Sequence, residues 1–447
     1  MAAIRTPMPD FTGCVVDDGR YQIIQKLGSG AYGIVYRAVD HHSASLSANG
    51  SQLAIKILRK AGLTEREAIN VRRELQLHRI MSEHPNVVTM HRAFEDDDYV
   101  YIVLDYCPGG DLFQKVCEEG IYFRNDALLK KAFLQIIDAV YACHRKRIFH
   151  RDLKPENILC NEDGSEIYLS DFGLATNERI SRTFGCGSSF YMSPECIGAE
   201  TDYIPYSTRY GDIWALGVIL VNMITARSPW EKAITEDDCF HDYLLDNNFL
   251  REMLPISQGA HDIITQMFTL EPTDRISLPE LRMAIENLDT FFMNDAEVAN
   301  APSGCQLAVK EILANLAIKK QKREFENAIE KFDQMKVKDM SIRKAVHLPK
   351  QAVSSRDDTP ATSPESSPNS SHSVGLTDND SQSSSVVSSG PVTPANYAIE
   401  PLLEVPELSE SLGTEWISTI ASKVRNALEP AKGPLRVVNE VDSRAVV

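Results

Sequence analysis

The feature that most constrains this chain is the run HRDLKPEN at 150–157, followed by the letters DFG, which begin at Asp171, fourteen residues after Asn157. A carboxylate such as Asp152 can orient a hydroxyl and accept its proton, and the ammonium of Lys154 can neutralise a phosphoryl group in transfer. An amide oxygen and a second carboxylate can hold a divalent cation that bridges phosphates. An eight-residue run with these groups, followed by DFG at this spacing, is too specific to arise by chance. The sequence therefore predicts a phosphoryl-transfer centre.

A glycine-rich loop lies upstream, in the run GSGAYGIV at 28–35. Positions without a side chain allow backbone amides to approach the phosphates of a nucleotide closely. The alternative of a dinucleotide-binding fold requires a helix after the glycines, whereas strand residues follow Gly33 here. The residues of this loop that we expect at the phosphates are Gly28, Ser29, Gly30, Ala31 and Gly33.

A lysine ends the apolar run LAIK at 53–56. Such a lysine, Lys56, is expected to hold the α- and β-phosphates of a nucleotide. Its expected partner is Glu74, eighteen residues further on in a helical segment. Glu65 and Glu67 lie near the start of that helix, where the helix dipole favours acidic residues. We therefore assign the ion pair to Lys56 and Glu74.

The periodicity of the sequence changes partway along the chain. Alternating residues predict strands over 21–57 and 87–106, with one helix over 65–81 between them. Helical spacing dominates afterwards, as in 127–145. These patterns predict an α+β fold of two lobes, a small one rich in strands and a larger helical one, with a cleft between them.

Composition and periodicity divide the chain into five parts. A region rich in Ser, Thr, Pro and Asp cannot bury enough apolar surface to offset the entropy of ordering, so we predict that the C-terminal tail is largely disordered. The charged helix predicted over 307–334 either is solvated or docks a partner. The five parts are an N-terminal extension (1–20), a catalytic domain (21–292), a charged helical extension (293–350), a disordered Ser/Thr/Pro-rich linker (351–399) and a tail with a short amphipathic segment (400–447).

Charge and composition argue against several classes of function. The net charge of −17 disfavours nucleic acid as a partner, because phosphate binding requires a basic surface. The nine cysteines form no Cys-x-x-Cys pair and indicate reduced thiols, and the N-terminus shows no apolar leader core. The longest apolar run, 213–224, is too short to span a bilayer and predicts a buried helix. We expect a monomer in the cytoplasm, the nucleus or both, with no nucleic-acid or membrane partner.

The motifs resemble those of the eukaryotic protein kinases over 21–292, and Lys154 in DLKPEN is similar to the serine/threonine-specific members rather than to the tyrosine kinases. The resemblance implies protein substrates and the cofactors ATP and Mg²⁺. It implies that Asp152 is the catalytic base and that Asn157 and Asp171 are the metal ligands.

The same resemblance indicates the adenine pocket. Leu104 is similar to the gatekeeper residue, and the backbone of the hinge that follows it is expected to hydrogen-bond adenine. Arg275 is expected to pair with Glu195, which stands in the run SPE where the family has APE. The residues that the resemblance places around adenine and ribose are Leu27, Val35, Ala54, Asp105, Cys107, Asp111 and Leu159.

The activation segment between DFG and SPE departs from the family pattern. Arg151 precedes the catalytic aspartate, and in kinases an arginine there pairs with a phosphate on this segment. Ser188 resembles the conserved threonine or serine near the substrate, and counting back from it puts the usual phosphosite at Phe184, which has no hydroxyl. Either Thr183 or Ser181 takes the phosphate, or the segment is held without one.

The run FGCGSSFYMSPEC at 184–196 resembles a fungal subgroup, the kinases that negatively regulate sexual conjugation and meiosis and their nutrient-signalling relatives. This resemblance implies a role in nutrient, cell-cycle or differentiation signalling. Glu156 and Asp111 are similar to carboxylates that meet an arginine upstream of the target serine in basophilic kinases. We therefore expect basic residues before the phosphorylated residue, with the alternative that Asp111 only binds the ATP ribose.

Two further hypotheses concern roles beside catalysis. A pseudokinase or signalling scaffold would share the fold but usually lacks the lysine, the base or a metal ligand, and all of these are present here. Four Ser/Thr-Pro pairs in the linker predict phosphorylation by an upstream proline-directed kinase and the binding of regulatory partners to the tail. These pairs are Thr359-Pro360, Ser363-Pro364, Ser367-Pro368 and Thr393-Pro394.

Overall fold

A computed structural model describes residues 8–30, 33–42 and 51–346 of the chain. The first lobe is a sheet whose strands are β1 (Val15–Val16), β2 (Tyr21–Gly30), β3 (Gly33–Asp40), β4 (Ser51–Arg59), β5 (Met90–Glu95) and β6 (Tyr99–Asp105). The spatial order is β1-β2-β3-β4-β6-β5, and every neighbouring pair is antiparallel. Side chains of β3 alternate between a buried and a more exposed position, as the period of a strand requires. The predicted strand-rich lobe is confirmed.

One helix, α1 (Glu65–Met81), packs on this sheet through Val71 and Leu75. Its bounds are those that the periodicity predicts. Thr64 caps the N-terminus: its hydroxyl accepts from the backbone nitrogen of Glu67, whose carboxylate accepts from the backbone nitrogen of Thr64. This capping box and the helix dipole account for the acidic residues of the first turn. Glu74 lies further along the same helix and is buried.

The second lobe is mainly helical. Its helices are α2 (Asp126–Arg145), α3 (Pro194–Ile197), α4 (Thr208–Thr225), α5 (Asp238–Leu245), α6 (Phe249–Met253), α7 (Gln258–Met267), α8 (Leu278–Asn287) and α9 (Asp295–Asn300), followed by α10 (Ser303–Val346). Two small sheets complete it: β7 (Ile158–Cys160) pairs with β8 (Ile167–Leu169), and β9 (Ile180–Ser181) with β10 (Tyr206–Ser207). The predicted bilobal α+β fold is therefore confirmed.

The core of the helical lobe surrounds α4. Almost all side chains of this helix are buried, so the apolar run at 213–224 is a core helix, as predicted. Trp214 lies 4.9 Å from Phe268 and 5.6 Å from Trp230 between ring centroids, in one aromatic cluster with Phe240. This rigid centre supports the loops that carry the polar motifs. None of the helices in the described residues is both long and apolar enough to cross a bilayer.

The described part of the N-terminal extension joins the first lobe. β1 pairs with β2, and Phe11 packs edge-on against Tyr99 at 5.0 Å between ring centroids. The side chain of Phe11 is buried, and its backbone nitrogen donates to Tyr36 Oη at 3.2 Å. Residues 8–20 thus extend the sheet before the predicted start of the catalytic domain.

The first turns of α10 pack on the helical lobe. Arg227 Nη2 lies 2.5 Å from Glu311 Oε2, and Lys319 Nζ donates to the backbone oxygen of Cys117 at 3.1 Å. Ile318, by contrast, is exposed. The sequence left open whether this helix is solvated or docks a partner, and the structure shows that its first turns dock on the chain itself. The side chains of these turns that are buried are Cys305, Ala308, Val309 and Ile312.

Several predictions concern residues outside those that the structure describes. They include Ala31 of the glycine-rich loop, the linker over 351–399 with its Ser/Thr-Pro pairs, and the amphipathic tail over 400–447. Most of the insertion between β3 and β4, residues 43–50, also lies outside them.

Candidate active site

The loop at 150–157 is anchored by the buried carboxylate of Asp212 in α4. Asp212 Oδ2 accepts from the backbone nitrogen of His150 at 3.0 Å, and Oδ1 accepts from that of Arg151 at 2.9 Å. His144 Nε2 lies 2.8 Å from Oδ2. Burial raises the pKa of Asp212, but the hydrogen bonds and the neighbouring histidines outweigh it and lower the pKa below its usual value. The ionised carboxylate therefore fixes a loop in which Arg151 has a left-handed backbone, with φ of +66°.

Asp152 is held by three side chains around its carboxylate. Ser188 donates to Oδ1 from its backbone nitrogen and from Oγ, each at 3.0 Å. Asn157 Nδ2 donates to Oδ2 at 3.0 Å and to the backbone oxygen of Asp152 at 2.8 Å. Lys154 Nζ lies 3.0 Å from Oδ2 and donates to Ser188 Oγ at 2.9 Å. The rotamer of Asp152 is therefore fixed by contacts on both of its oxygens.

Asn157 and Asp171 supply oxygens that fit a magnesium ion. The amide nitrogen of Asn157 makes two hydrogen bonds to Asp152, which leaves its carbonyl oxygen Oδ1 for a ligand. The Asp171 side chain is 42% exposed, and its backbone is left-handed, with φ of +56°. The surrounding protein partly removes water from Asp171, which raises its pKa, but the nearby charge of Lys56 outweighs this and lowers the pKa. Magnesium is commonly held by one or two carboxylates together with phosphate and water oxygens, so this donor pair suits the ion of a bound nucleotide.

Lys56 connects strand β4, helix α1 and the DFG motif. Its Nζ lies 2.6 Å from Glu74 Oε1 and 3.0 Å from Asp171 Oδ1. Burial lowers the pKa of Lys56, but the two carboxylates outweigh it and raise the pKa above its usual value. The lysine is therefore a fixed positive charge, and the structure pairs it with Glu74, the helical carboxylate that its spacing suggests.

A stack of rings connects α1 to the catalytic loop. Phe172 is fully buried, with its ring centroid 4.9 Å from that of His78 and 5.2 Å from that of His150. His78 Nε2 donates to the backbone oxygen of Val88 at 2.7 Å, which assigns the proton to that nitrogen. Sequence reasoning missed His78, although its place four residues after Glu74, on the same helix face, was the available signal.

The glycines of the loop between β2 and β3 differ in what surrounds them. Among the residues that the structure describes, a Cβ atom on Gly28 or Gly30 would meet no atom within 4 Å, so packing against these residues does not require glycine there. A Cβ atom on Gly33 would collide with the backbone oxygen of Ile57. Gly33 thus allows β3 and β4 to approach, whereas the first two glycines leave open space suited to phosphate groups.

The residues expected around adenine come together where β4, β6 and β7 meet. Ala54 is the register partner of Leu104, and Asp111 forms a bridge with Leu159 of β7. The Asp105 carboxylate lies 2.7 Å from His91 Nε2, so this side chain contacts β5, and the backbone nitrogen of Asp105 donates to the backbone oxygen of Thr89 at 3.1 Å. The other members of this set that the structure describes are Leu27, at 43% exposure, Ser29 of β2, the partly buried Val35 of β3 and the partly buried Cys107.

Glu195 and Arg275 form a buried bidentate ion pair. Arg275 Nη1 lies 2.5 Å from Glu195 Oε1, and Nη2 lies 2.8 Å from Oε2. Arg275 also lies over the ring of Trp214 at 4.9 Å and donates to the backbone oxygen of Tyr210 at 3.0 Å. The pair fixes the end of the activation segment to the core around α4.

Thr183, Asp111 and Glu156, which were predicted to act near the substrate, make fewer contacts than the buried pair of Glu195 and Arg275. The Thr183 side chain is exposed, and its backbone oxygen accepts from Tyr206 Oη at 3.0 Å. Asp111 Oδ1 accepts from the backbone nitrogen of Gln114 at 2.8 Å. Glu156 is exposed, and no described residue forms an ion pair with it or with Asp111.

The geometry and the motifs agree with a comparison against known families, in which the model "Protein kinase domain" matches residues 21–284. The chain belongs to the protein kinase family. The match covers both lobes and every residue of the two clusters around Asp152 and Lys56, and it ends before α9 and α10. Those two helices and the described part of the N-terminal extension are additions to the shared domain.

The relatives include fungal proteins. The chain is 41% identical over 285 residues to the "Negative regulator of sexual conjugation and meiosis" of Schizosaccharomyces pombe, covering 60% of this chain and 59% of that protein. It is 38% identical over 287 residues to "Serine/threonine-protein kinase ksp1" of the same yeast, covering 62% and 59%. "Serine/threonine-protein kinase VHS1" of Saccharomyces cerevisiae is 30% identical over 349 residues, covering 65% and 74%. The chain thus spans about three fifths of the length of the two Schizosaccharomyces proteins.

Proposed function

We propose that this chain is an active serine/threonine kinase that transfers the γ-phosphoryl group of ATP to hydroxyl groups of proteins. The observation that supports it is the joint presence of two complete clusters: Asp152 with Lys154, Asn157 and Ser188, and Lys56 with two carboxylates. Pseudokinases usually lack a member of one of these clusters. The relatives named as serine/threonine kinases support the same proposal.

Each side chain has a role that follows from its contacts. Asp152, held by Ser188 and Asn157, orients the substrate hydroxyl and accepts its proton as the oxygen bonds to the γ-phosphorus and the bond to ADP breaks. Lys154 lies against the same carboxylate and neutralises charge on the phosphoryl group. Lys56 holds the phosphates that stay with ADP. A magnesium ion bound through Asn157 and Asp171 would supply further charge neutralisation.

The test is phosphate transfer from labelled ATP to a protein substrate by the full chain and by Asp152→Asn. We expect a loss of about a hundredfold or more in kcat for Asp152→Asn, because the base no longer accepts the proton. Asp97→Asn, in the exposed turn between β5 and β6, is the matched control and should keep the rate. Phosphate transfer by wild type that does not exceed the background of Asp152→Asn would instead indicate a pseudokinase or scaffold.

We further propose that substrates carry Arg or Lys shortly before the phosphorylated residue. Desolvation by the surrounding protein raises the pKa of Glu156 above its usual value; a backbone hydrogen bond and the charge of Lys154 partly offset this, and the charges of Asp111 and Asp152 add to the rise. A cation placed among these carboxylates relieves their repulsion, which favours a basic substrate side chain. The competing role for Asp111, binding of the ATP ribose, leaves Glu156 as the better determinant.

A positional peptide library separates these possibilities. Wild type should select Arg or Lys two to five residues before the target, and Glu156→Gln should lose that selection with an increase of about tenfold in the KM of basic peptides. Glu236→Gln, an exposed carboxylate between α4 and α5, is the control. A wild-type profile without upstream basic selection would contradict the proposal.

The similarity to the Schizosaccharomyces protein supports a role in nutrient, cell-cycle or differentiation signalling. We propose that the chain acts in the cytoplasm, the nucleus or both, and that it restrains differentiation. Expression in a fission-yeast strain that lacks its own negative regulator should suppress untimely meiosis, and Asp152→Asn should not. A fluorescent fusion in the same strain reports the location. Stable and active protein without suppression would contradict the role.

The sequence of the linker supports input from a proline-directed kinase and binding of regulatory partners. Mapping of phosphosites on protein purified from growing fungal cells tests this proposal. Phosphate at Ser363 or Thr393 would support it, and unmodified Ser/Thr-Pro pairs under all growth conditions would contradict it.

A further inference from the structure

The activation segment carries an aromatic contact at the position where the family usually has its phosphosite. The ring of Phe184 lies 5.3 Å from that of Tyr203, edge to face, and 5.6 Å from that of Tyr206. It also covers Gly198, where a Cβ atom would lie 2.7 Å from Phe184 Cδ1 and 2.7 Å from Tyr203 Cδ1. Gly198 has φ of +87°, so both its conformation and this close approach require glycine.

The backbone on both sides of Phe184 is tied to the same region. Tyr206 Oη donates to the backbone oxygen of Thr183 at 3.0 Å, and the backbone nitrogen of Gly185 donates to the backbone oxygen of Cys196 at 2.8 Å. Strand β9 pairs with β10 immediately before this point. The ring of Phe184 is thus the central contact of a segment that is held on either side by hydrogen bonds.

Arg151, the residue expected to form an ion pair with a phosphate on the activation segment, already contacts neutral groups. Its Nη2 lies 3.4 Å from Ser181 Oγ and 3.5 Å from the backbone oxygen of Thr183. Ser181 is only 3% exposed, and its Oγ accepts from the backbone nitrogen of Thr183 at 3.0 Å. An upstream kinase could reach that hydroxyl only after β9 and β10 separate.

The space beside Arg151 is small. Arg151, Cys186 and Tyr206 line a cavity of about 20 Å³, and Arg151 Nε is buried without a hydrogen-bond partner among the described residues. A cavity of this size holds one water molecule, which would satisfy Nε, but it does not hold a phosphate group. The cavity beside Arg151 therefore has room for a water molecule, whereas a phosphate on the activation segment would need a larger cavity there.

The held segment leads directly to the catalytic base. Gly187 follows two residues after Gly185, with φ of +109°, and a Cβ atom there would lie 2.6 Å from the backbone oxygen of Arg151. Ser188 comes next and donates twice to Asp152. Only three residues separate Phe184 from Ser188, so a displaced ring would move the donors on which the orientation of Asp152 depends.

We propose that Phe184 is a positioning residue: its packing against Tyr203 and Tyr206 holds the activation segment in the catalytic arrangement, so that no phosphate on this segment is needed. This inference rests on the proposed kinase activity. It selects one of the two alternatives that the sequence left open. The aromatic contact takes the place of the usual pairing between a phosphate and an arginine.

The test compares full chains that carry different residues at 184, each treated with a serine/threonine phosphatase and checked by intact mass. Treated wild type should keep at least half of its kcat/KM for a serine peptide. Phe184→Ala should lose about tenfold or more, mainly in kcat, because the donors to Asp152 shift. Phe184→Leu, which restores apolar packing, should recover most of the loss.

The controls separate positioning from folding. Phe325→Ala removes an aromatic ring that is 68% exposed on α10 and should leave the kinetics unchanged. Phe184→Ala should keep the thermal unfolding midpoint of wild type, which would show that its lower kcat comes from a displaced activation segment and not from unfolding. A wild type that loses its turnover on phosphatase treatment and regains it on rephosphorylation would overturn the inference alone. Turnover absent from every preparation would overturn the proposed kinase activity and this inference with it.

Discussion

The backbone nitrogen and the hydroxyl of Ser188 donate to the same oxygen of Asp152, each at 3.0 Å. Ser188 Oγ also accepts from Lys154 at 2.9 Å, so one hydroxyl connects the base with the lysine beside it. The activation segment and the loop that carries Asp152 are therefore joined at Ser188. A displacement of the activation segment would therefore disturb the position of Asp152, and a displacement of the catalytic loop would disturb the activation segment.

Ser188→Ala keeps the backbone hydrogen bond to Asp152 and removes the one from the hydroxyl. We expect kcat to fall by about tenfold to a hundredfold, because Asp152 and Lys154 lose their common partner. Ser188→Thr retains the hydroxyl and should keep most of the rate. Steady-state kinetics with a peptide substrate measures this, and the neighbouring Ser189→Ala serves as control. An equal rate for Ser188→Ala and Ser189→Ala would show that the backbone bond suffices.

His78 predicts a pH dependence of stability. Burial lowers its pKa to about 4, partly offset by its hydrogen bond to Val88, while Lys56 and His150 also disfavour a charge and Asp171 favours one. The unfolded chain therefore binds more protons than the folded chain between pH 4 and the ordinary histidine pKa of about 6.5. Stability from this residue is complete above that window and is lost as the pH falls through it.

The measurement is the free energy of unfolding at pH 7.5 and at pH 5, by urea denaturation. The decrease between the two should be about 2 kcal/mol larger for wild type than for His78→Leu, which cannot be protonated. His42→Leu changes an exposed histidine in the turn after β3; it is the control and should follow wild type. Identical pH profiles for wild type and His78→Leu would contradict the buried neutral imidazole.

The ion pair of Glu195 and Arg275 should be costly to break. Arg275→Ala leaves Glu195 as an unpaired buried carboxylate, so we expect a loss of about 3–5 kcal/mol in the free energy of unfolding. Arg282→Ala removes an arginine whose side chain is 38% exposed and should cost about 1 kcal/mol or less. Chemical denaturation compares the two. Similar losses for both variants would show that the buried pair is not a special structural requirement.

The sequence allowed the catalytic clusters to be predicted because each is carried by a short local motif. Lys56, Asp152, Asn157 and Asp171 stand in recognisable runs, and Glu74 follows from its place on a helix with clear bounds. The contact between His78 and Phe172 was not predictable, since it depends on how α1 turns its face towards the DFG motif. Local patterns do not encode such a rotation.

The additions at the two ends illustrate a second limit. β1 is two residues long, too short for a periodic signal, and its pairing with β2 comes from tertiary contacts around Phe11. The pattern of α10 predicted a charged helix that is either solvated or docks a partner, but it did not show that the partner is the helical lobe itself. Packing partners that are distant in sequence can be found only in the three-dimensional structure.

The docked turns of α10 provide a stability test within one helix. Ile312 is 3% exposed and Leu313, its neighbour, is 46% exposed. Ile312→Ala should lower the free energy of unfolding by about 2–4 kcal/mol, because it removes buried methyl groups and leaves a cavity. Leu313→Ala, an equally large truncation, should change it by about 0.5 kcal/mol or less, since surface changes cost little. Urea denaturation of the full chain measures both, and equal effects would mean that α10 does not dock through this face.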